Sequence, residues 1–122
     1  MNVHRALGFG FLESVYANAL AYKLRQINLT VVQQHPIKVL YESVTVGNFF
    51  ADLLINDTVI VEIKAVEQLV KAHEVQLVNY LNACRLDTGL LINFGAPSLQ
   101  IKRKFRFSKP IANTTPTQPF EL

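Results

Sequence analysis

Residues 52–64 read Asp52-Leu-Leu-Ile-Asn-Asp57-Thr-Val-Ile-Val-Glu62-Ile-Lys64, two apolar runs of strand length separated by Asn56-Asp57. An acid stands in the first run, and an acid and a base close the second. Side chains on a strand alternate faces, so Glu62 and Lys64 share one face while Val61 and Ile63 share the other. At about 3.3 Å per residue the Cα atoms of Glu62 and Lys64 stand roughly 6.5 Å apart. The same alternation puts Phe50, Asp52 and Leu54 on one face of the preceding strand, which covers about residues 44–55.

Asn56-Asp57 is a hairpin turn signal. A strict two-residue loop pairs Ile55 with Thr58, sets Asp52 across from Val61 and separates the two acids. A three-residue loop through Thr58, or a bulge worth one residue, sets Asp52 across from Glu62 with Cβ atoms about 5 Å apart. The second register is expected, because only it gathers the charges. Ionised groups in core strands are costly unless something binds them. Two carboxylates this close favour a cation between them, and hard ions such as Mg²⁺ take carboxylate, carbonyl and water oxygens together with substrate phosphate. A lysine beside such a site can stabilise charge building up on a phosphoryl group. The pattern suits phosphodiester hydrolysis.

Asp52, Glu62-x-Lys64 and then Gln76-x-x-x-Tyr80 on the following helix resemble the PD-(D/E)XK nuclease superfamily, in its RecB-like branch. Upstream, Gly10-Phe-Leu-Glu13-Ser-Val-Tyr16 matches the motif of the GxxExxY protein family, and Gly89-Leu-Leu-Ile-Asn-Phe-Gly95 is also similar to that family. The resemblance runs from about Val3 to Arg106. It implies an α/β fold with a restriction-endonuclease-like αβββαβ core, a mixed central sheet flanked by helices. The implied activity is a Mg²⁺- or Mn²⁺-dependent nuclease acting on DNA. The alternative is a catalytically silent nuclease-like module that binds nucleic acid or a protein.

The resemblance also implies roles. Asp52, Glu62 and the main-chain carbonyl of Ile63 would hold the metal, with Glu13 as an additional metal or water ligand. Lys64 would be catalytic, and Gln76 and Tyr80 would orient the lysine or meet the DNA backbone. Each has a plainer reading beside it. Asp52 and Glu62 could sit in structural ion pairs, Lys64 could end its strand in water, and Glu13 could serve only the first turn of a helix. Tyr80 could be a core tyrosine, and His73, on the same helical stripe, reads as structural. Ala51 precedes Asp52 where the superfamily name has proline, and Phe9 replaces a proline often found between the glycines. Members also carry a further helix ahead of Val3-His4-Arg5, which bears on stability and dimer packing rather than on the metal site.

A length of 122 residues suits one domain, expected over 1–107, with a tail rich in Pro, Thr, Asn and Gln over 108–122 expected to be flexible. Half of the residues are hydrophobic and 17% charged, apolar enough for so small a chain that a homodimer is expected to cover part of the surface. The formal charge of +3 is too mild to identify a nucleic-acid binder by itself. Cys84 is the only cysteine and falls at helical spacing with Leu77, Tyr80 and Leu81, a small core residue rather than a nucleophile. With no signal-peptide pattern, no apolar run of membrane length and no possible intramolecular disulfide, a cytoplasmic location is expected.

Periodicity predicts helices over 11–28 and 66–85, short extended pieces over 30–32 and 37–41 interrupted near His35-Pro36, a doubly covered strand over 88–94 and a last strand over 99–107. On that last strand Lys102, Lys104 and Arg106 share a face. As nucleic-acid ligands they would give duplex binding a salt slope of about −2.7. Alternatively, they protect an exposed sheet edge from pairing with another sheet.

Overall fold

In the computed structural model, residues 2–106 are described, and the expected tail over 108–122 lies outside them, as does Phe107. The elements run α1 (Asn2–Leu7), α2 (Glu13–Gln26), β1 (Val31–Tyr41), β2 (Val44–Ile55), β3 (Val59–Lys64), α3 (Lys71–Cys84), β4 (Thr88–Asn93) and β5 (Gln100–Phe105). The five strands form one sheet in sequence order. Only β3 and β4 are parallel, joined through α3; every other neighbour is antiparallel. This is the mixed sheet flanked by helices that the family resemblance implied.

Each face of the sheet carries its own core. On one, Tyr16, Ala17, Leu20 and Ala21 of α2 pack on Leu53, Val61, Ile63 and Ile92. On the other, Leu77, Tyr80 and Leu81 of α3 pack on Leu54, Ile60 and Leu91. β3 and β4 feed both layers, which is why they read as near-continuous apolar runs. Each fully buried Leu, Ile or Val among them stabilises the fold by about 1.5–3 kcal/mol.

Three expected boundaries shift. β1 is continuous through His35-Pro36, because it is the edge strand and Pro36 can turn its missing N–H outward. α2 begins at Glu13, two residues late, because the chain is still outside helical backbone at Gly10, with φ 118°, and at the extended N-cap Leu12. α3 begins at Lys71 rather than Val66. Its first turn is displaced because Asn93 takes the Val66 backbone: the side-chain oxygen accepts from Val66 N at 2.9 Å and the amide donates to Val66 O at 2.8 Å. The short helix α1 was not expected; His4 Nε2 ties it to the Ala96 carbonyl at 3.0 Å.

The β3–α3 connection is also held by Gly95. A Cβ there would sit 2.5 Å from both the Ala65 carbonyl carbon and the Val66 carbonyl oxygen, and main chain cannot yield as a side chain does. Gly95→Ala is therefore expected to cost about 2–3 kcal/mol and to displace the segment that follows Lys64. Thermal denaturation checks it, and an unchanged melting temperature would mean that the crossover is not held there.

Candidate active site

The Asn56-Asp57-Thr58 turn sets the register. Asn56 and Asp57 both take left-handed φ, 50° and 57°, and the Thr58 amide donates to the Ile55 carbonyl at 3.0 Å. Ile55 pairs with Val59, Leu54 with Ile60 and Leu53 with Val61, so the loop has three residues. Asp52 thus comes opposite Glu62, the register that gathers the acids.

The ladder does not continue through that pair. Asp52 N donates to Glu62 Oε2 at 3.0 Å, and Ile63 N donates to Asp52 Oδ2 at 2.7 Å. The two carboxylates have replaced main-chain carbonyls as acceptors, so the strands part here while both amides stay satisfied. On the other side of β2, regular pairing with β1 is interrupted between Gln33↔Leu53 and His35↔Ala51, and Gln34 has φ 55°. The face of β2 switches across this point: Ala51 belongs to the α3-side core and Leu53 to the α2-side core. The expected common face for Phe50, Asp52 and Leu54 is therefore not observed. Strict alternation fails at Asp52, and Phe50 lies exposed while Leu54 is buried under α3.

Glu62 is 6% exposed. Burial, reinforced by the charge of Asp52, pushes its carboxyl from the usual 4.5 up to about 7; the Asp52 amide and Lys64 pull the other way, and Glu13 adds a smaller upward push. Neither Asp52 nor Glu62 joins an ion pair among the described residues, and Lys64 joins none either. The internal Glu62–Lys64 pair that a purely structural role would require is not formed. No described hydrogen bond uses the second oxygen of either carboxylate. This donor set fits a hard divalent cation, which binds through one or two carboxylates and completes its shell with water and substrate. No group of three or more His, Cys, Asp or Glu side chains among the described residues forms a metal cage. Glu13 thus stands within electrostatic reach of Glu62 but outside a compact three-acid cluster.

The sequence profile of the PD-(D/E)XK nuclease superfamily matches residues 1–104. The chain belongs to this superfamily. Among solved structures, that of SSO0001 is similar in fold, with a TM-score of 0.58 and 15% identity over 78% of this chain and 50% of that one. The chain spans half the length of that protein. No curated protein matches significantly. Among the described residues no helix is long and apolar enough to cross a membrane.

In this PD-(D/E)XK domain the flanking motifs occupy distinct places. The Tyr16 ring is fully buried, stacked on Phe94 at 4.7 Å, and its hydroxyl donates to the Gly8 carbonyl at 2.8 Å while accepting from Phe11 N at 3.2 Å. Tyr16 thereby fastens the loop before α2, where Gly8 and Gly10 have φ 72° and 118°, and Glu13 is exposed at the start of that helix. On α3, Tyr80 is nearly buried in the core layer that holds Ala51, Leu54 and Ile60, and its hydroxyl pKa is raised by burial and then by the charges of Glu62 and Asp52. Gln76, one turn earlier, is exposed and lines a cleft with Tyr80. His73 proves structural: its Nδ1 accepts from Val70 N at 3.1 Å and caps α3. Cys84 is half-buried, and burial pushes its thiol up, away from nucleophile chemistry.

The basic face of β5 is neutralised from within. Lys104 and Lys102 approach Glu74 at 3.0 and 3.5 Å, and Arg106 reaches Asp87 at 2.8 Å. The Lys104 hydrogen bond, with the neighbouring Lys102 charge, holds Glu74 below the usual carboxylate range. These cations hold β5 against α3 and its C-terminal end. Lys102 still keeps half of its side chain in water. Asn93 was missed as a site residue, although an amide in the apolar run 88–94 was its visible signal. Fully buried, it bonds Val66, Gly95 and Gln100 and so locates the chain that leaves Lys64.

Proposed function

We propose that this domain is a Mg²⁺- or Mn²⁺-dependent nuclease that hydrolyses phosphodiester bonds in DNA, within the RecB-like, GxxExxY branch of its superfamily. The observation that carries this reading is the Asp52–Glu62 pair: two adjoining carboxylates with no ion-pair partner among the described residues, one of them with a pKa of about 7. A structural pair would have been neutralised within the protein, as Glu74 is by Lys104.

Asp52, Glu62 and the Ile63 carbonyl would hold the metal, and Glu13 would reach it through water. Bound there, the ion lowers the pKa of a water and offsets phosphate charge. Lys64, on the Glu62 face of β3, supplies a positive charge that stabilises the phosphoryl oxygens as negative charge builds. Tyr80 excludes water from one side of the acids, and Gln76 offers an amide to the substrate backbone. Lys102, at the rim, is available to a phosphate, while Lys104 and Arg106 contribute by holding β5 in place.

Cleavage of labelled single-stranded, duplex and branched DNA with Mg²⁺ or Mn²⁺ tests the reading. Activity is expected to vanish with a chelator and to fall at least about 10²-fold in Lys64→Ala, with an unchanged circular dichroism spectrum. Metal-independent cleavage, or full activity in Lys64→Ala, overturns it. Nucleic-acid binding without any cleavage would identify a silent module instead.

A further inference from the structure

The β1–β2 arm extends past the end of β3, whose pairing to β2 stops at Leu53↔Val61. Between this arm and α3 lies a cleft of about 1000 Å³. Lys38 on the arm, Lys71 at the start of α3 and Arg85 at its end line it, and among the described residues no Asp or Glu does. None of these three cations is in an ion pair among the described residues, in contrast to Lys102 and Lys104 on β5 and Arg106 just after it. Lys71 occupies the first position of a helix, where the dipole disfavours a cation and favours an incoming anion. An anionic ligand would offset all three charges.

The cleft also has an aromatic wall. Phe49, 42% exposed, leans on Tyr80 with ring centroids 5.6 Å apart, and Tyr80 packs in one core layer with Ala51 and Leu54, which flank Asp52 along β2. Side-chain amides of Gln76 and Asn79 lie along the same side of α3. Cations at both ends of a helix, amides between them and an exposed ring opposite make a platform for a phosphate backbone carrying open bases. A double helix hides its base faces from a stacking ring, whereas a cleft of this volume suits a few unpaired nucleotides.

We propose that the cleft between α3 and the β1–β2 arm binds a single-stranded nucleic-acid segment, with Lys38, Lys71 and Arg85 on phosphates and Phe49 against a base, and delivers it past Tyr80 to the acids. This rests on the nuclease reading of the Asp52–Glu62 site, but its test measures binding without cleavage. Fluorescence anisotropy of a labelled twelve-residue oligothymidine is measured with the full chain, in a chelator and again with Ca²⁺, against a duplex of the same length. The single strand is expected to bind more tightly than the duplex. The triple variant Lys38→Gln/Lys71→Gln/Arg85→Gln is expected to weaken binding at least about tenfold and to reduce the salt slope by about 2. Phe49→Leu is expected to weaken it about fivefold with the salt slope unchanged. Removing the same charge from the opposite face, in Arg5→Gln/Lys23→Gln/Arg103→Gln, is expected to leave affinity within about twofold. No oligothymidine binding in either buffer, tighter binding of the duplex, or wild-type affinity in the triple variant overturns the proposal. Any of these would leave the metal-dependent cleavage test untouched, just as loss of the nuclease reading would leave the binding measurement interpretable.

Discussion

Glu62→Gln is expected to reduce metal-dependent cleavage at least about 10³-fold and, at pH 8 without metal, to make the protein more stable. The two effects have one cause. Glu62 is 6% exposed and beside Asp52, and its pKa of about 7 against the ordinary 4.5 means that its ionised form is held at a cost of about 3 kcal/mol. A glutamine in its place keeps the bond that matters to the fold, because its carbonyl oxygen can accept the Asp52 amide now held at 3.0 Å. Its NH₂ can donate to the Asp52 carboxylate, turning a repulsion into a hydrogen bond. What it loses is the anionic oxygen that a divalent ion needs. If Glu62 served the fold alone, the same change would destabilise the protein or do nothing. Cleavage kinetics and thermal melts on one preparation distinguish these cases, and a variant that still cuts at the wild-type rate removes Glu62 from the site.

The part of the site that could be read from sequence was the part built from near neighbours. Asp52 and Glu62 are ten residues apart across one turn, and the cost of a lone buried charge sufficed to choose between two loop lengths. Where a local rule was carried past its domain, it misplaced something. Alternation along β2 fails at Asp52 because the strand is distorted opposite Gln34, and no residue type there announces it. The β1–β2 turn is Glu42-Ser43, both at positive φ, without the glycine or asparagine that marks such turns, so the strand ends at 41 and 44 were legible while the tight turn joining them was not. Residues 66–70 carry helical residues, yet Asn93, 27 positions on, takes the Val66 backbone. Distance in sequence likewise hid the partners of the β5 cations: Glu74 lies 30 residues before Lys104, and only the packing of α3 on the sheet brings them together. The cleft is assembled from 38–49 and 71–85 in the same way, so its cations form no local pattern, unlike the Lys-x-Lys-x-Arg strip of 102–106.

Stability of the metal-free protein is expected to fall as pH rises from about 4.5 to 7, and divalent ions are expected to reverse the fall. Below 4.5 Glu62 is protonated in both the folded and the unfolded chain and contributes no difference. Between the unfolded value of 4.5 and the folded value of about 7, the unfolded chain releases its proton while the folded chain keeps it, so stability decreases with pH. Above about 7 both forms are ionised, and the loss levels off at about 3 kcal/mol from this group. A cation that binds the ionised pair stabilises the folded state by about 2.7 kcal/mol at a hundredfold excess over its dissociation constant. At pH 5 the same ion must first displace the Glu62 proton, so its effect is smaller. Melting curves with chelator or Mn²⁺ at pH 5 and pH 8 should therefore show a metal-induced rise in Tm that is larger at the higher pH. Glu62→Gln should flatten its share of the pH dependence and remove most of the metal response together. A metal response that ignores pH, or that survives in Glu62→Gln, would place the ion away from the Asp52–Glu62 pair and separate the buried charge from the chemistry proposed for it.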